Sequence, residues 1–134
     1  MISDQELINE KVAGFFLGAM RMGYDYDDAW SLLLSSKQGQ GILNNEYAYS
    51  VHFQGTDSAR KANMELGTNY NTGTGIEPDI RQLELLADLI DIAHNRFGIE
   101  YKDIFKKTSL NDFMDTCGYV LGNYDDKLIK GYLI

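Results

Sequence analysis

The predicted fold class rests on residues 80–98, IRQLELLADLIDIAHNRFG. Apolar residues recur there at intervals of three and four, which is typical of a helix with one buried face. They are Ile80, Leu83, Leu86, Leu89, Ile90 and Ala93. Pro78 is predicted to lie in the first turn, where proline is tolerated, and Gly98 to end the helix.

Similar patterns precede this helix. Ser3 and Glu6 form a capping box, and the apolar residues that follow have helical spacing up to a stop at Gly23. The acids of residues 25–28 predict the N-cap and first turn of a second helix that carries Ala29, Trp30 and Leu32–Leu34. Gly-Gln-Gly within Lys37–Gly41 predicts a loop.

The remaining segments also favour helices. Residues 42–53 are predicted to be helical, although the alternating residues Tyr47, Tyr49 and Val51 favour a strand. Residues 67–77, rich in glycine, threonine and asparagine, predict a flexible loop. Further helices are predicted after Thr56 or Asp57, over Tyr101–Lys107, from Ser109 and Asp112, and from Asp125 or Asp126. We therefore predict a single compact all-α domain over residues 1–134, with about seven or eight helices.

The two halves of the chain resemble each other. Residues 21–30 align without gaps on residues 96–105, and the arginine, glycine, tyrosine and one aspartate are identical. The pattern predicts two related helical units, 4–66 and 78–134, joined by the loop 67–77 and packed on one core. Convergence is the alternative, because any helical hairpin favours a glycine stop and an acidic cap. Both explanations are open at this point.

Composition narrows the class of function. Of the 134 residues, 44% are hydrophobic, which is enough for a core, and the net charge is −8. Such a charge disfavours nucleic acid, and the longest basic cluster, Lys102, Lys106 and Lys107, is interrupted by Asp103. One cysteine, no basic leader and no long apolar run lead us to expect a cytoplasmic protein without a membrane span.

Several short motifs resemble a family of short bacterial proteins known only as a domain of unknown function. Phe105-Lys106-Lys107 and Phe113-Met114 resemble its aromatic-Lys-Lys and aromatic-Leu motifs, and residues 49–55 resemble a shifted form of its Tyr-x-x-Leu-His-x-x-Gly motif. Gly122 departs from the pattern, since it stands where the family has histidine. The resemblance implies a helical fold without known chemistry. Some such proteins accompany toxin-like genes, which implies a neutralising partner.

Candidate chemistry is sparse. Glu84, Asp88, Asp91 and His94 lie at ligand spacing on one helix, but the same residues form the polar face that an amphipathic helix needs. Cys117 falls on an apolar stripe, where a thiol packs as a small hydrophobe. Asp25-x-Asp27 lacks the glycine and the closing glutamate of a calcium loop, and Gly73-Thr74-Gly75 lacks the lysine of a phosphate loop. We expect no metal and no cofactor.

Two binding hypotheses follow, with self-association as a third. The first is a non-enzymatic interaction module, a bacterial or mobile-element regulatory or antitoxin-like partner of a basic protein. Its candidate surface is formed by Tyr24, Asp25, Tyr26, Asp27 and Asp28. The alternative is a small enzyme or ligand-binding domain whose pocket contains Tyr47, Tyr49, His52 and Gln54. Self-association would use an apolar helix face.

Overall fold

A computed structural model describes residues 3–46, 55–66 and 77–134. These residues form α-helices, short 3-10 and π-helical turns and connecting loops, and no strand occurs among them. The prediction of an all-α fold is therefore confirmed. Within the described ranges, no helix combines the length and apolarity needed to cross a bilayer.

The helices follow one another with short connections. The α-helices are α1 (Asp4–Arg21), α2 (Tyr26–Ser35), α3 (Lys37–Leu43), α4 (Gly55–Glu65), α5 (Ile80–Asp91), α6 (Leu110–Cys117) and α7 (Asp125–Leu128). Two π-helical turns, Ile92–Arg96 and Ile129–Leu133, extend α5 and α7. Two 3-10 turns occupy Tyr101–Asp103 and Gly118–Val120.

Helix α1 lies at the centre of the fold. It packs most extensively against α4 and α5, and the rings of Phe15 and Phe16 are fully buried. Around it, apolar residues from both ends of the chain form one core. The largest fully buried side chains besides these two rings are Leu33, Ile42, Leu83, Leu86, Leu89, Ile90, Ile104, Leu110, Phe113 and Ile129.

Three predicted helix starts are confirmed by side-chain caps. Ser3 Oγ accepts from the Glu6 amide at 3.1 Å, and Asp25 Oδ1 accepts from the Asp28 amide at 2.7 Å. Ser109 likewise caps α6. The predicted place of Pro78 in the first turn was wrong, because α5 begins at Ile80 with Asp79 as its N-cap, and Pro78 precedes that cap.

The predicted loop at Lys37–Gly41 is wrong, since these residues belong to α3. Ser36 is fully buried and caps α3 by accepting from the Gly39 amide at 2.9 Å. A side chain at Gly39 would place its Cβ 1.8 Å from the Leu33 carbonyl oxygen. Gly39 is therefore present because α3 folds back closely on α2, a tertiary reason that outweighs glycine's low helix propensity.

Two other predicted helices differ from the structure in its described residues. Residues 42–53 do not continue as one helix, because α3 ends at Leu43 and Asn45 adopts a left-handed φ of 53°. Residues 47–54 lie outside the described residues, as do residues 67–76 of the predicted loop. Tyr101–Lys107 is not a helix along its length, since only Tyr101–Asp103 forms a 3-10 turn. Local charge and aromatic patterns did not reveal that α3 ends at Leu43 or that the turn from Tyr101 ends at Asp103.

The aligned halves share some local geometry. Gly23 and Gly98 both follow a long helix and both adopt positive φ, 109° and 70°. The aligned aromatics Trp30 and Phe105 pack edge-to-face with ring centroids 5.5 Å apart. The units differ after the glycine, because Tyr26 opens a ten-residue helix and Tyr101 a three-residue turn. Duplication remains a prediction.

We predict that Gly39→Ala lowers the free energy of unfolding by about 2–3 kcal/mol, because the new methyl group overlaps the Leu33 carbonyl and α3 must move away from α2. Urea denaturation followed by circular dichroism measures this change. Gly131→Ala is the control, because nothing lies within 4 Å of its added Cβ. Equal stability of the two variants would contradict the close α2–α3 contact.

Candidate functional site

The predicted surface at residues 24–28 is only partly exposed: Tyr24 is buried, Tyr26 and Asp27 are half-buried, and Asp25 and Asp28 are exposed. Tyr24 is only 6% exposed, and its hydroxyl donates to Asn63 Oδ1 at 2.7 Å. Including Tyr24 in an interaction surface was therefore wrong, because the ring packs in the core between α1 and α2. Tyr26 is half-buried, and burial together with the carboxylates of Asp115 and Asp79 raises the pKa of its hydroxyl.

The acids of this segment join two helix starts. Asp27 Oδ1 accepts from the Leu110 amide at 2.7 Å, in the first turn of α6. In return, Asn111 Oδ1 accepts from the Asp27 amide at 3.3 Å, and Asn111 Nδ2 donates to Asp25 Oδ2 at 3.1 Å. Two of the three predicted surface acids thus cap the starts of α2 and α6 and hold them together. Asp28 is exposed.

The alternative pocket of Tyr47, Tyr49, His52 and Gln54 lies outside the described residues. The same holds for Gly73-Thr74-Gly75. The enzyme or ligand-binding hypothesis that depends on this pocket stays a prediction.

The polar face of α5 contacts α1 through an amide network. Asn9 Nδ2 lies between two carboxylates, 3.2 Å from Asp88 Oδ1 and 3.0 Å from Asp91 Oδ2. Asn95 donates to Asp91 at 2.7 Å and to Gln5 at 3.2 Å. Two of the residues with ligand spacing are therefore engaged in helix–helix hydrogen bonds.

His94 is placed by its own turn. Its Nδ1 lies 2.9 Å from the Ile99 carbonyl oxygen, and its ring stacks on Tyr101 with centroids 3.7 Å apart. A carbonyl partner requires Nδ1 to carry the proton. The ring therefore serves to close the turn around Gly98, and no described side chain with acid or base chemistry hydrogen-bonds to it.

Cys117 lies on the buried side of α6 and is 2% exposed. Burial raises the pKa of its thiol, and a side-chain hydrogen bond to Tyr132 opposes that rise. A raised thiol pKa keeps the sulfur protonated and poorly nucleophilic. Cys117 is thus placed as a packed core residue, as its position on the apolar stripe predicts.

A polar cleft lies between α1 and α5. It measures about 260 Å³ and is lined by Glu6, Asn9, Glu10, Arg81, Glu84 and Asp88, which we call the acidic cleft. Glu6 and Glu10 lie one turn apart on α1, as do Glu84 and Asp88 on α5. The sequence singled out the two acids of α5, but only the packing of α1 on α5 adds Glu6 and Glu10.

The electrostatics of the acidic cleft are unbalanced. Arg81 is the one cation among the described lining residues, and it is paired with Glu84 at 3.3 Å. Burial raises the pKa of Asp88, with a further contribution from Asp91, and the hydrogen bond from Asn9 only partly opposes it. A positive charge placed beside such an acid stabilises its ionised form. The acids are spread along the cleft, however, and no three described acidic, histidine or cysteine side chains converge to hold a metal ion.

Comparison with known proteins adds no assignment: no protein-family model, curated protein or solved structure matches the chain. The resemblance to a bacterial family therefore stays a prediction, and the acidic cleft must be interpreted from its own chemistry.

We predict that Asp27→Ala lowers the free energy of unfolding by about 1–2 kcal/mol, because α6 loses its carboxylate cap and leaves the Leu110 amide without a partner. Asp27→Asn is the matched control, since its amide oxygen can still accept. Urea denaturation distinguishes the two. An equally large loss in both variants would contradict the capping role.

We predict that Asp88→Asn raises the free energy of unfolding at about pH 7 by at most about 0.5 kcal/mol, since solvent screens this side chain. The wild-type pKa is raised above the ordinary 3.8 in the folded state, so folding favours the protonated acid. The advantage of the variant should therefore vanish near pH 3 and grow as pH rises through the raised pKa.

Thermal unfolding measured across this pH range tests the dependence on Asp88. Glu46→Gln, at an exposed acid outside the acidic cleft, is the control and should give no such trend. An advantage of Asp88→Asn that is constant with pH would contradict desolvation as its cause.

Proposed function

We propose that the chain is a non-catalytic protein-interaction module whose acidic cleft binds a basic segment of a partner protein. The observation that carries this proposal is the cleft itself, in which four carboxylates surround a hollow of about 260 Å³ and one arginine is the only described cation. A lysine or arginine side chain of a partner would supply the charge that the cleft lacks.

The charge of the whole chain supports the same class of partner. A net charge of −8 attracts a basic protein over distances longer than a hydrogen bond and repels polyanions. Steering by the whole surface raises the rate of encounter, and close pairing in the cleft slows dissociation. The two effects can be separated, because only the second depends on which carboxylates are present.

The location of the proposed surface differs from the one expected from sequence. Asp25 and Asp27 already accept hydrogen bonds from groups within the protein, and a partner would have to replace those bonds. Glu6, Glu10 and Glu84 are exposed. Among the described contacts between side chains that line the cleft, Asn9 donates to Asp88 and Arg81 pairs with Glu84. The antitoxin-like role implied by the family resemblance stays a prediction about who the partner is.

A charge-matched pair of variants tests the proposal. The cleft variant combines Glu10→Gln, Glu84→Gln and Asp88→Asn, and the control combines Glu46→Gln, Glu100→Gln and Asp115→Asn. Each loses three of the eight net negative charges, so both have the same net charge. The probe is a fluorescein-labelled peptide of six lysines, and its binding is followed by fluorescence anisotropy at low salt.

We expect the cleft variant to bind the peptide about tenfold more weakly than wild type, since each lost pair is worth a few tenths of a kcal/mol to about 1 kcal/mol. The control should lose no more than about threefold, through the weaker overall field. Equal losses would show attraction to net charge alone and would overturn the cleft as a binding site. Binding of wild type no stronger than that of the cleft variant would overturn it as well.

A further inference from the structure

The ten residues 125–134, which we call the strap, lie at the surface and contribute Ile129 and Leu133 to the core. The strap consists of α7 and the π-helical turn after it. Only Ile129 and Leu133 are buried, and most of the other strap residues are exposed. The first turn of α7 has no side-chain cap. Few buried apolar side chains and exposed backbone hydrogen bonds are the features of segments that open locally.

The polar contacts between the strap and the rest of the protein are exposed. Asp126 pairs with Arg96 at 2.8 Å, with side chains 51% and 62% exposed. The Thr108 hydroxyl donates to the Tyr132 carbonyl oxygen at 2.7 Å, and Lys107 Nζ donates to the Ile134 carbonyl oxygen. Water can replace each of these bonds when the strap moves, so they oppose opening only weakly.

A hinge precedes the strap. Gly122 has a φ of 90°, in the left-handed region that glycine enters without strain, and its amide donates to Asp125 Oδ1 at 2.8 Å. A surface hollow of about 360 Å³ lies between Ile92 and residues 122–127. Gly122 itself lies close to α5, because a Cβ added there would be 2.8 Å from Leu85 Cδ2, whereas residues 123–127 border the hollow.

The strap covers the outward side of α6. The ring of Tyr132 packs edge-on against Phe113 with centroids 6.2 Å apart, and Cys117 lies one helical turn after Phe113 on the buried face of the same helix. Phe113 is fully buried and Cys117 is 2% exposed. Both lose a covering group if Tyr132 moves away with the strap.

We propose that the strap opens about Gly122 while the rest of the fold stays intact, and that this opening uncovers Cys117 and Phe113. The open form presents an aromatic ring and a thiol side by side on α6, a surface that the closed form lacks. Opening of this kind is a local, hinge-type transition with a lower free energy than global unfolding.

Alkylation of Cys117 by iodoacetamide in the full-length chain reports the opening. Cys117 is the single cysteine, so mass spectrometry follows one site without ambiguity. The rate is measured over a series of urea concentrations below the unfolding transition. Because the strap is a small part of the surface, we expect the rate to depend on urea less than half as steeply as global unfolding does.

Two arginine variants test which contacts control the opening. Arg96→Gln removes the ion pair to the strap and should accelerate alkylation about threefold. Arg21→Gln removes a comparable exposed ion pair, to Glu77, which involves no residue of the strap, and should leave the rate in low urea unchanged. A urea dependence equal to that of global unfolding would overturn the proposal. Equal acceleration by both variants would also overturn it.

Discussion

The fold depends on how closely α4 approaches α1. A Cβ at Gly18 would lie 2.9 Å from the Thr56 backbone, and one at Gly55 would lie 2.4 Å from the Lys11 carbonyl oxygen. This close contact leaves no room for a side chain at Gly18 or Gly55. The opposite face of α1 is thereby directed at α5, and Phe15 and Phe16 become fully buried.

Once α1 and α5 are in contact, their polar faces must be accommodated at the edge of the contact. Asn9 does so by donating to both Asp88 and Asp91, so that one amide serves two carboxylates. Glu6, Glu10 and Glu84 are exposed and line the acidic cleft together with Asp88. The cleft is therefore a consequence of the helix pairing, and its charge is not balanced by an equal number of cations among the described lining residues.

The charged residues of this protein serve two different purposes. Asp25 and Asp27 cap helix starts, where their negative charge complements the exposed amides of α2 and α6. Glu6 lies in the first turn of α1, but its carboxylate and that of Glu10 accept none of the described hydrogen bonds and line the acidic cleft. For this reason we place the proposed interaction surface in the acidic cleft and not at the acid-rich segment that stands out in the sequence.

Periodicity and capping residues in the sequence determined the helical class, the starts of α1, α2 and α6, and the glycine stops at Gly23 and Gly98, because these depend on interactions within a few residues. Tertiary contacts decided the rest. Gly39 belongs to a helix because α3 lies against the Leu33 carbonyl, and Tyr24 is buried because Asn63 meets its hydroxyl. Glu6 and Glu84 are separated by most of the chain and share a cleft only because α1 packs on α5. No local pattern carries such information, since it resides in the distances between helices.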